Sequence, residues 1–195
     1  MISKDFDKLI NSFTKLPSVG LRSAERFAYA IINMNKDDAL NLAENIINVK
    51  NNVKLCPICG NFTTENICSI CENRKSDIVC VVKEPKDIIN FEKIKGFDCK
   101  FHILGGTLSP MKNITPDDLN ITTLLRRIDS GEFKEVIIAL GTDVESEATS
   151  MYLAKLLKPL NIKVTRLAQG ISLNAELEYV DSATLQRAFV DRKEI

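Results

Sequence analysis

The sequence is short of the features that mark membrane proteins, secreted proteins and histidine-dependent enzymes. It has a single histidine among 195 residues, His102, and no serine or cysteine lies in a recognisable nucleophile motif. We therefore expect His102 to pack or hydrogen-bond rather than to act as a catalytic base. No apolar run approaches the length of a membrane span, and the N-terminus mixes acidic and basic residues where a signal peptide would be apolar. These absences predict a cytoplasmic protein without membrane contact.

The formal net charge of the chain is zero. The chain carries 26 Lys and Arg residues against 26 Asp and Glu, so its overall electrostatics give no reason to expect a nucleic-acid partner. The distribution is uneven, because residues 76–150 carry nine basic and thirteen acidic residues, whereas 1–75 and 151–195 each carry two more basic than acidic. An anionic ligand should therefore meet the two ends of the chain before the middle.

The composition is typical of a soluble globular protein, with 45% hydrophobic and 27% charged residues. A chain of this length can bury a core without disulfides and amounts to one domain or two small ones. Its first 50 residues have apolar positions at helical spacing, interrupted by a turn at 16–20 and a second break near Asn35. They predict a compact helical unit whose third helix runs from Asp37 to Val49.

Beyond residue 75 the pattern changes to short apolar strands that alternate with helices. Near-continuous apolar strands separated by helices predict a parallel-rich sheet that helices cover. The predicted strands are 78–82, 100–104, 136–140 and 162–167, and the predicted helices are 86–95, 117–130, 145–158 and 181–192.

Two Cys-x-x-Cys pairs, separated by eight residues, give the strongest signal in the chain. Each pair can place two thiolates on one tight turn, and four thiolates suit the tetrahedral preference of zinc. A disulfide would need an oxidising compartment, and a redox pair would be expected alone. We therefore expect one structural zinc ion per chain, in a closed site with no open position for catalysis. The predicted ligands are Cys56, Cys59, Cys68 and Cys71.

The other two cysteines, Cys80 and Cys99, lie in or beside predicted strands and lack the spacing of metal ligands. We expect both to be buried as small apolar residues.

The segment 16–24 resembles the hairpin of a helix-hairpin-helix motif. In that motif a tight turn presents backbone N–H groups at the start of a helix, where they and the helix dipole bind a DNA phosphate without reading bases. Gly20 lies at that helix start, and Arg22 and Arg26, one turn apart, could add two phosphate contacts. Ser18 replaces the usual first glycine, so a turn conformation with positive φ would be strained there. The alternative is an ordinary corner between two helices.

Three acidic residues, Asp143, Glu145 and Glu147, stand at alternate positions after a predicted strand. Such a cluster can hold magnesium in phosphoryl-transfer enzymes, but it also suits a helix N-terminus electrostatically. Compared with the Toprim fold of topoisomerases and primases, the chain has Lys83 in place of a metal-binding glutamate and Gly141 in place of the first aspartate. A lysine offers a metal no lone pair, so we favour the helix-terminus interpretation.

Taken in order along the chain, these parts resemble the RecR family over essentially the whole length. The stretch 102–110 and the Glu-x-Glu-Ala-Thr run at 145–149 match this family rather than Toprim proteins at large. The chain departs from the family pattern at Ser18, at 141–143, at Ser146 and at 174–176. The segments that carry the resemblance are the two cysteine pairs, 80–87, 101–110, 144–149, 164–170 and 177–181.

The resemblance implies an α+β protein of several parts. These are a helix-hairpin-helix domain at 1–53, a four-cysteine zinc finger at 54–76, an α/β Toprim domain with a parallel-rich sheet at 77–170, and a C-terminal helical tail for oligomerisation at 171–195. It also implies a non-catalytic scaffold of recombinational DNA repair, nucleoid-associated and assembled into homodimers or ring-shaped homotetramers. The scaffold would bind double- and single-stranded DNA and act with RecO, and in some bacteria RecF, to load RecA onto single-stranded DNA.

Two other functions stay open at the level of the sequence. One is a magnesium-dependent Toprim nuclease or primase-like enzyme that uses Asp143, Glu145 and Glu84. The other is a zinc-bearing interaction module that does not contact DNA. Under the RecR resemblance no residue is catalytic. The DNA-binding positions it implies are Gly20, Arg22 and Arg26, and the partner-binding positions are Glu84, Asp87 and Glu145.

Overall fold

The computed structural model describes residues 3–192. Contacts divide the chain into two compact units, Met1–Val53 and Lys54–Ile195, and each unit is described by itself. Within residues 3–192, no helix combines the length and the apolar composition that crossing a bilayer requires.

The N-terminal unit consists of three helices, α1 (Lys4–Phe13), α2 (Leu21–Asn33) and α3 (Lys36–Asn52). The hydroxyl of Ser3 caps α1 by accepting a hydrogen bond from the amide of Phe6 at 3.1 Å. Asn35 caps α3 in the same way, which is why this helix begins just before the predicted start. Helices α1 and α2 pack on each other through small and large apolar side chains. Their buried residues are Phe6, Ile10, Ala24 and Ala28.

The second unit opens with a small hairpin and a short helix, β1 (Lys54–Leu55), β2 (Phe62–Thr63) and α4 (Ser69–Asn73). A four-stranded sheet follows, made of β3 (Ile78–Val82), β4 (Lys100–Ile103), β5 (Glu135–Ile138) and β6 (Lys163–Arg166). The strand order is β4-β3-β5-β6, and every neighbouring pair is parallel. The parallel sheet that the alternating pattern predicts is therefore confirmed.

Four helices accompany the sheet, α5 (Pro85–Phe91), α6 (Ile121–Asp129), α7 (Val144–Leu157) and α8 (Ser182–Val190). The period-two alternation of β3 separates two cores, because successive side chains point to opposite faces. Val79 and Val81 face a core with side chains of α6 and α7. Cys80 and Val82 face a second core that includes the first three paired cysteines, Phe101 and Ile103.

Some predicted boundaries are wrong for local reasons. The helix expected at 86–95 ends at Phe91, before a turn in which Gly96 has φ +81°. The helix expected at 117–130 begins only at Ile121, because residues 116–118 form a separate 3-10 turn that Pro116 starts. The strand expected at 136–140 spans Glu135–Ile138.

Candidate zinc centre and nucleic-acid interface

The four paired cysteines converge between the β1–β2 hairpin and α4. The sulfur atoms of Cys56, Cys59, Cys68 and Cys71 all lie within 4.8 Å of one another, and those of Cys59 and Cys68 are 3.5 Å apart. Zinc–sulfur bonds of about 2.3 Å in a tetrahedron would put the sulfurs about 3.8 Å apart. The cysteines therefore fit one structural zinc ion, and four protein ligands leave it no open position.

Backbone amides point at the sulfurs. The amide of Asn61 donates to the sulfur of Cys59 at 3.4 Å, and the amide of Cys68 donates to that of Cys56 at 3.5 Å. Burial opposes ionisation of Cys56, but amide hydrogen bonds lower the pKa of its thiol to about 7. The pKa of Cys59 is raised, first by its hydrogen bond with Cys71 and then by burial. Sulfurs this close cannot all be thiolates unless a cation offsets their charge, which a bound zinc ion would do.

The zinc finger is fastened to the outer edge of β4. The amide of Ile103 donates to the carbonyl oxygen of Cys59 at 2.7 Å. The next residue, Gly60, has φ +80°, and a Cβ there would lie 3.2 Å from the carbonyl oxygen of Ile103. On the other side of the finger, Arg74 donates to the carbonyl oxygen of Cys99 at 2.7 Å. The finger thus covers part of the edge that a terminal strand would otherwise leave open.

Helix α2 begins at the hairpin without a side-chain cap. Its N-cap is Gly20, and no hydrogen bond from a described side chain satisfies the first turn, so backbone donors there remain free for an anion. Ser18 adopts φ +64°, so the positive φ considered for this position is confirmed. Gly20 has φ −81°, a conformation that other residues share.

The arginines Arg22 and Arg26 lie one turn apart on α2, and both are exposed. The guanidinium of Arg26 lies 5.6 Å from the ring centroid of Phe27. Arg22 is in the first turn of α2, where its charge adds to the positive end of the helix dipole. The hairpin and these two side chains together can contact a phosphate backbone without any base-specific group.

The acidic residues after β5 serve the helix that follows. Asp143 caps α7, because its carboxylate accepts from the hydroxyl of Ser146 at 2.7 Å and from the amide of Ser146 at 2.9 Å. These bonds, with a smaller contribution from the charge of Lys83, lower the pKa of Asp143. Since β3 and β5 are parallel neighbours, Lys83 and Asp143 follow strands that end at the same edge of the sheet. Asp143 therefore caps α7 as the helix-terminus interpretation expects, and the positive charge of Lys83 acts on the same carboxylate.

The three acids matched to partner contact are engaged within the chain. At the start of α5, the carboxylate of Asp87 accepts from the amide of Glu84 at 2.8 Å, and the carboxylate of Glu84 pairs with the amine of Lys86 at 2.6 Å. Glu145, on α7, accepts from the hydroxyl of Ser109 at 2.6 Å and lies 3.4 Å from the amine of Lys112. The hydrogen bond from Ser109 is the main reason why the pKa of Glu145 is lowered. All three follow strands that end at the same edge of the sheet.

The sequence did not predict a buried polar network around Arg127 and His102. Arg127, only 7% exposed, donates to the carbonyl oxygen of Phe101 at 2.8 Å and lies 3.4 Å from Nδ1 of His102. Its guanidinium carbon is 4.8 Å from the ring centroid of Phe133. Nε2 of His102 lies 2.6 Å from the carbonyl oxygen of Asn120 and donates to it. Burial, with a smaller effect of the Arg127 charge, lowers the pKa of His102 to about 4.

The structure thus confirms that His102 is a buried hydrogen-bonding residue, and Cys80 and Cys99 are buried as predicted. The helical pattern does not predict that Arg127 is buried, because the arginine and its partners Phe101 and His102 come from distant parts of the chain.

Family models match the chain in succession. A RecR helix-hairpin-helix model matches residues 6–50, a RecR four-cysteine zinc finger model matches 53–73, a Toprim domain model matches 77–168, and a RecR C-terminal model matches 170–193. The chain is therefore a Toprim protein that carries a helix-hairpin-helix motif and a four-cysteine zinc finger. It belongs to the RecR family, whose domains support a role in recombinational DNA repair.

Proposed function

We propose that this protein is a non-catalytic DNA-binding scaffold of recombinational repair that works with RecO, and in some bacteria RecF, to load RecA onto single-stranded DNA in the cytoplasm, at the nucleoid. The observation that carries the proposal is the succession of RecR-family matches on both sides of the Toprim domain. We assign the helix-hairpin-helix domain to 1–53, the zinc finger to 54–76, the Toprim domain to 77–170 and the oligomerisation tail to 171–195.

The proposed DNA contact is the hairpin with Gly20, Arg22 and Arg26. The uncapped start of α2 supports a phosphate contact through backbone amides. The two exposed arginines support further contacts, because each can neutralise one phosphate and release a counterion. This kind of contact would bind double- and single-stranded DNA without regard to sequence.

The test is fluorescence anisotropy of a labelled duplex with a single-stranded extension, titrated with protein at several salt concentrations. Removal of one phosphate contact reduces the slope of log affinity against log salt by about 0.9, so replacing both Arg22 and Arg26 with alanine should lower the slope by about 2. Lys50→Ala, in the last turn of α3, is the matched control and should leave the slope unchanged. If the wild-type protein does not bind DNA, or if the double variant keeps the full slope of log affinity against log salt, the chain is an interaction module without this DNA contact.

The positions of Lys83 and Asp143 at the carboxyl edge of the sheet support our proposal that the protein is not catalytic. The lysine brings positive charge to the place where a magnesium ion would need carboxylates, and the carboxylate of Asp143 already accepts two hydrogen bonds from Ser146. We expect purified protein with Mg²⁺ to nick supercoiled plasmid no faster than Asp143→Ala does. If the protein nicks plasmid with Mg²⁺ and Asp143→Ala does not, the protein is a Toprim nuclease and the proposal of a non-catalytic scaffold is wrong.

Self-association is supported by exposed apolar side chains in each of the two units. Helix α3 buries none of its side chains, although a lone helix of this length is marginally stable in water. The tail exposes Leu173 and Tyr179. We propose a homodimer or homotetramer in which both ends of the chain supply contacts, and light scattering should report two or four chains per particle. The exposed side chains of α3 are Leu40, Leu42, Ile46, Ile47 and Val49.

The proposed partner contact, through Glu84, Asp87 and Glu145, is at the carboxyl edge of the Toprim sheet. That edge offers negative charge that would favour a basic protein surface over DNA. We expect the protein to retain purified RecO in a pull-down. The triple variant Glu84→Gln, Asp87→Asn and Glu145→Gln should retain less.

A further inference from the structure

We propose that Met111 and Val144 are the apolar anchors of a protein-docking surface at the carboxyl edge of the Toprim sheet, and that the partner offers an apolar pocket ringed by basic side chains. The inference rests on the proposed function, because it concerns how the scaffold holds its partner protein. It adds residues and a chemistry of contact that the acidic positions alone do not supply.

The two side chains are almost completely uncovered. Met111 is 95% exposed and Val144 is 87% exposed. Met111 lies in the 3-10 turn at 110–112, and Val144 is the first residue of α7. Each adjoins one member of the ion pair between Lys112 and Glu145, whose charged atoms are 3.4 Å apart. The loop and the start of α7 therefore meet at this ion pair, with one uncovered apolar residue next to each of its members.

The loop that carries Met111 is held in a fixed shape. The hydroxyl of Ser109 donates to Glu145 at 2.6 Å, and the amide of Leu108 donates to the hydroxyl of Thr149 at 2.9 Å. Ser109 and Ile114 exchange two backbone hydrogen bonds, at 3.1 and 2.9 Å, which close the loop on itself. A rigid loop loses little entropy when it binds, so its exposed side chains can contribute more of their contact energy to affinity.

The charge around the two anchors selects the class of partner. The segments after β3, β4 and β5, at 83–87, 105–118 and 141–147, carry three basic and seven acidic residues. The rest of 76–150 carries six of each, so the whole negative excess of this region lies at the carboxyl edge of the sheet. Such an edge repels DNA phosphates and attracts a basic protein surface.

The acids themselves are poor anchors. Glu145 already accepts from Ser109, Glu84 pairs with Lys86, and Asp87 accepts from the amide of Glu84. A partner that bound these acids would therefore compete with donors of this chain. Exposed ion pairs also contribute little to affinity, whereas a side chain seated in an apolar pocket at the centre of an interface contributes much. The acids thus attract a basic partner during association, and the exposed side chains of Met111 and Val144 contribute most of the affinity.

The test is isothermal titration calorimetry with purified RecO of the same bacterium as the probe, using the full-length protein and the variants Met111→Ser and Val144→Ser. Removal of an interface hot spot weakens binding by about 30-fold, and we expect this from Met111→Ser, with a smaller effect from Val144→Ser. Both sites are exposed, so the melting temperature should not change. Ile94→Ser is the matched control, because Ile94 is also exposed but follows α5 at the opposite edge of the sheet.

The outcomes separate the two proposals. If wild-type protein binds RecO and both serine variants bind equally well, the anchors are wrong and the proposed function stands. Wild-type protein that does not bind RecO contradicts the proposed function and the docking surface together. If Met111→Ser changes the particle mass in light scattering, the surface joins copies of this chain, which also overturns the inference.

Discussion

The amide of Ile103 donates a hydrogen bond to the carbonyl oxygen of Cys59 at 2.7 Å, which joins the zinc finger directly to the outer edge of the Toprim sheet. On the same edge, the side chain of Asn120 donates to the carbonyl oxygen of Ile103 at 3.2 Å, and Arg127 donates to that of Phe101 at 2.8 Å. Terminal strands invite pairing with other chains when such groups are left open. The finger and the residues around α6 therefore protect β4.

Removal of zinc should loosen the sheet as well as the finger. With the finger unfolded, the amide of Ile103 loses its partner, which costs about 1–3 kcal/mol if the amide stays buried, in addition to the metal-binding free energy. We expect faster hydrogen exchange at Ile103 after chelation, and a melting temperature lower by at least about 4 °C. A metal-free Cys56→Ser variant that keeps slow exchange at Ile103 would show that the edge does not depend on the metal.

Substitution of Gly60 should separate backbone strain from steric contact. Gly60→Ala would place a Cβ 3.2 Å from the carbonyl oxygen of Ile103 at a φ of +80°, whereas Gly131 has φ +76° with nothing within 4 Å. We expect Gly131→Ala to lower the free energy of unfolding by about 1 kcal/mol from strain, and Gly60→Ala to lower it further. Chemical denaturation measures both, and equal decreases would mean that contact with β4 does not limit this position.

Acid should destabilise the protein through His102. The pKa of this buried imidazole is lowered from 6.5 to about 4, so between these pH values the unfolded chain binds more protons than the folded one. Its contribution is full above pH 6.5 and is lost as pH falls towards 4, by about 3 kcal/mol in total. The free energy of unfolding of His102→Gln should vary less with pH across this window, and parallel curves for the variant and the wild type would contradict the assignment.

Glycine at position 18 should stabilise the N-terminal unit. Ser18 has φ +64°, a conformation that costs a residue with a Cβ about 1–2 kcal/mol and glycine very little. We expect Ser18→Gly to raise the free energy of unfolding by about 0.5–1 kcal/mol after the entropy cost of glycine. Ser12→Gly, inside α1, should instead lower it by a similar amount, and thermal unfolding distinguishes the two signs.

Much of the fold could be predicted because its signals are local. Apolar spacing predicts α1 and α2, and apolar runs between turns predict the four parallel strands, since each element must bury one face or both. The boundaries were less predictable, as at Phe91 and Pro116, because helix ends depend on turn geometry that apolar spacing does not contain. The roles of Gly20, Arg22 and Arg26 on DNA remain predictions.

The zinc site was determined by the sequence alone. Four thiolates in two short turns, Cys56 to Cys59 and Cys68 to Cys71, need little beyond the reach of a few residues to meet around one ion, so their spacing specifies the chemistry. Asp143 as the cap of α7 follows the same rule, because a side chain that bonds an amide three residues later depends only on its neighbours.

Only the tertiary structure decided how Cys59 meets Ile103, how Arg127 meets His102, and how Ser109 holds Glu145. These partners lie 44, 25 and 36 residues apart in the chain, and each contact exists because the fold of the parallel sheet and its helices brings distant segments together. Periodicity reports which face of an element is buried, but it does not report which remote group will lie against that face. The uncovered positions of Met111 and Val144 are of the same kind, because exposure is decided by what the rest of the chain leaves uncovered.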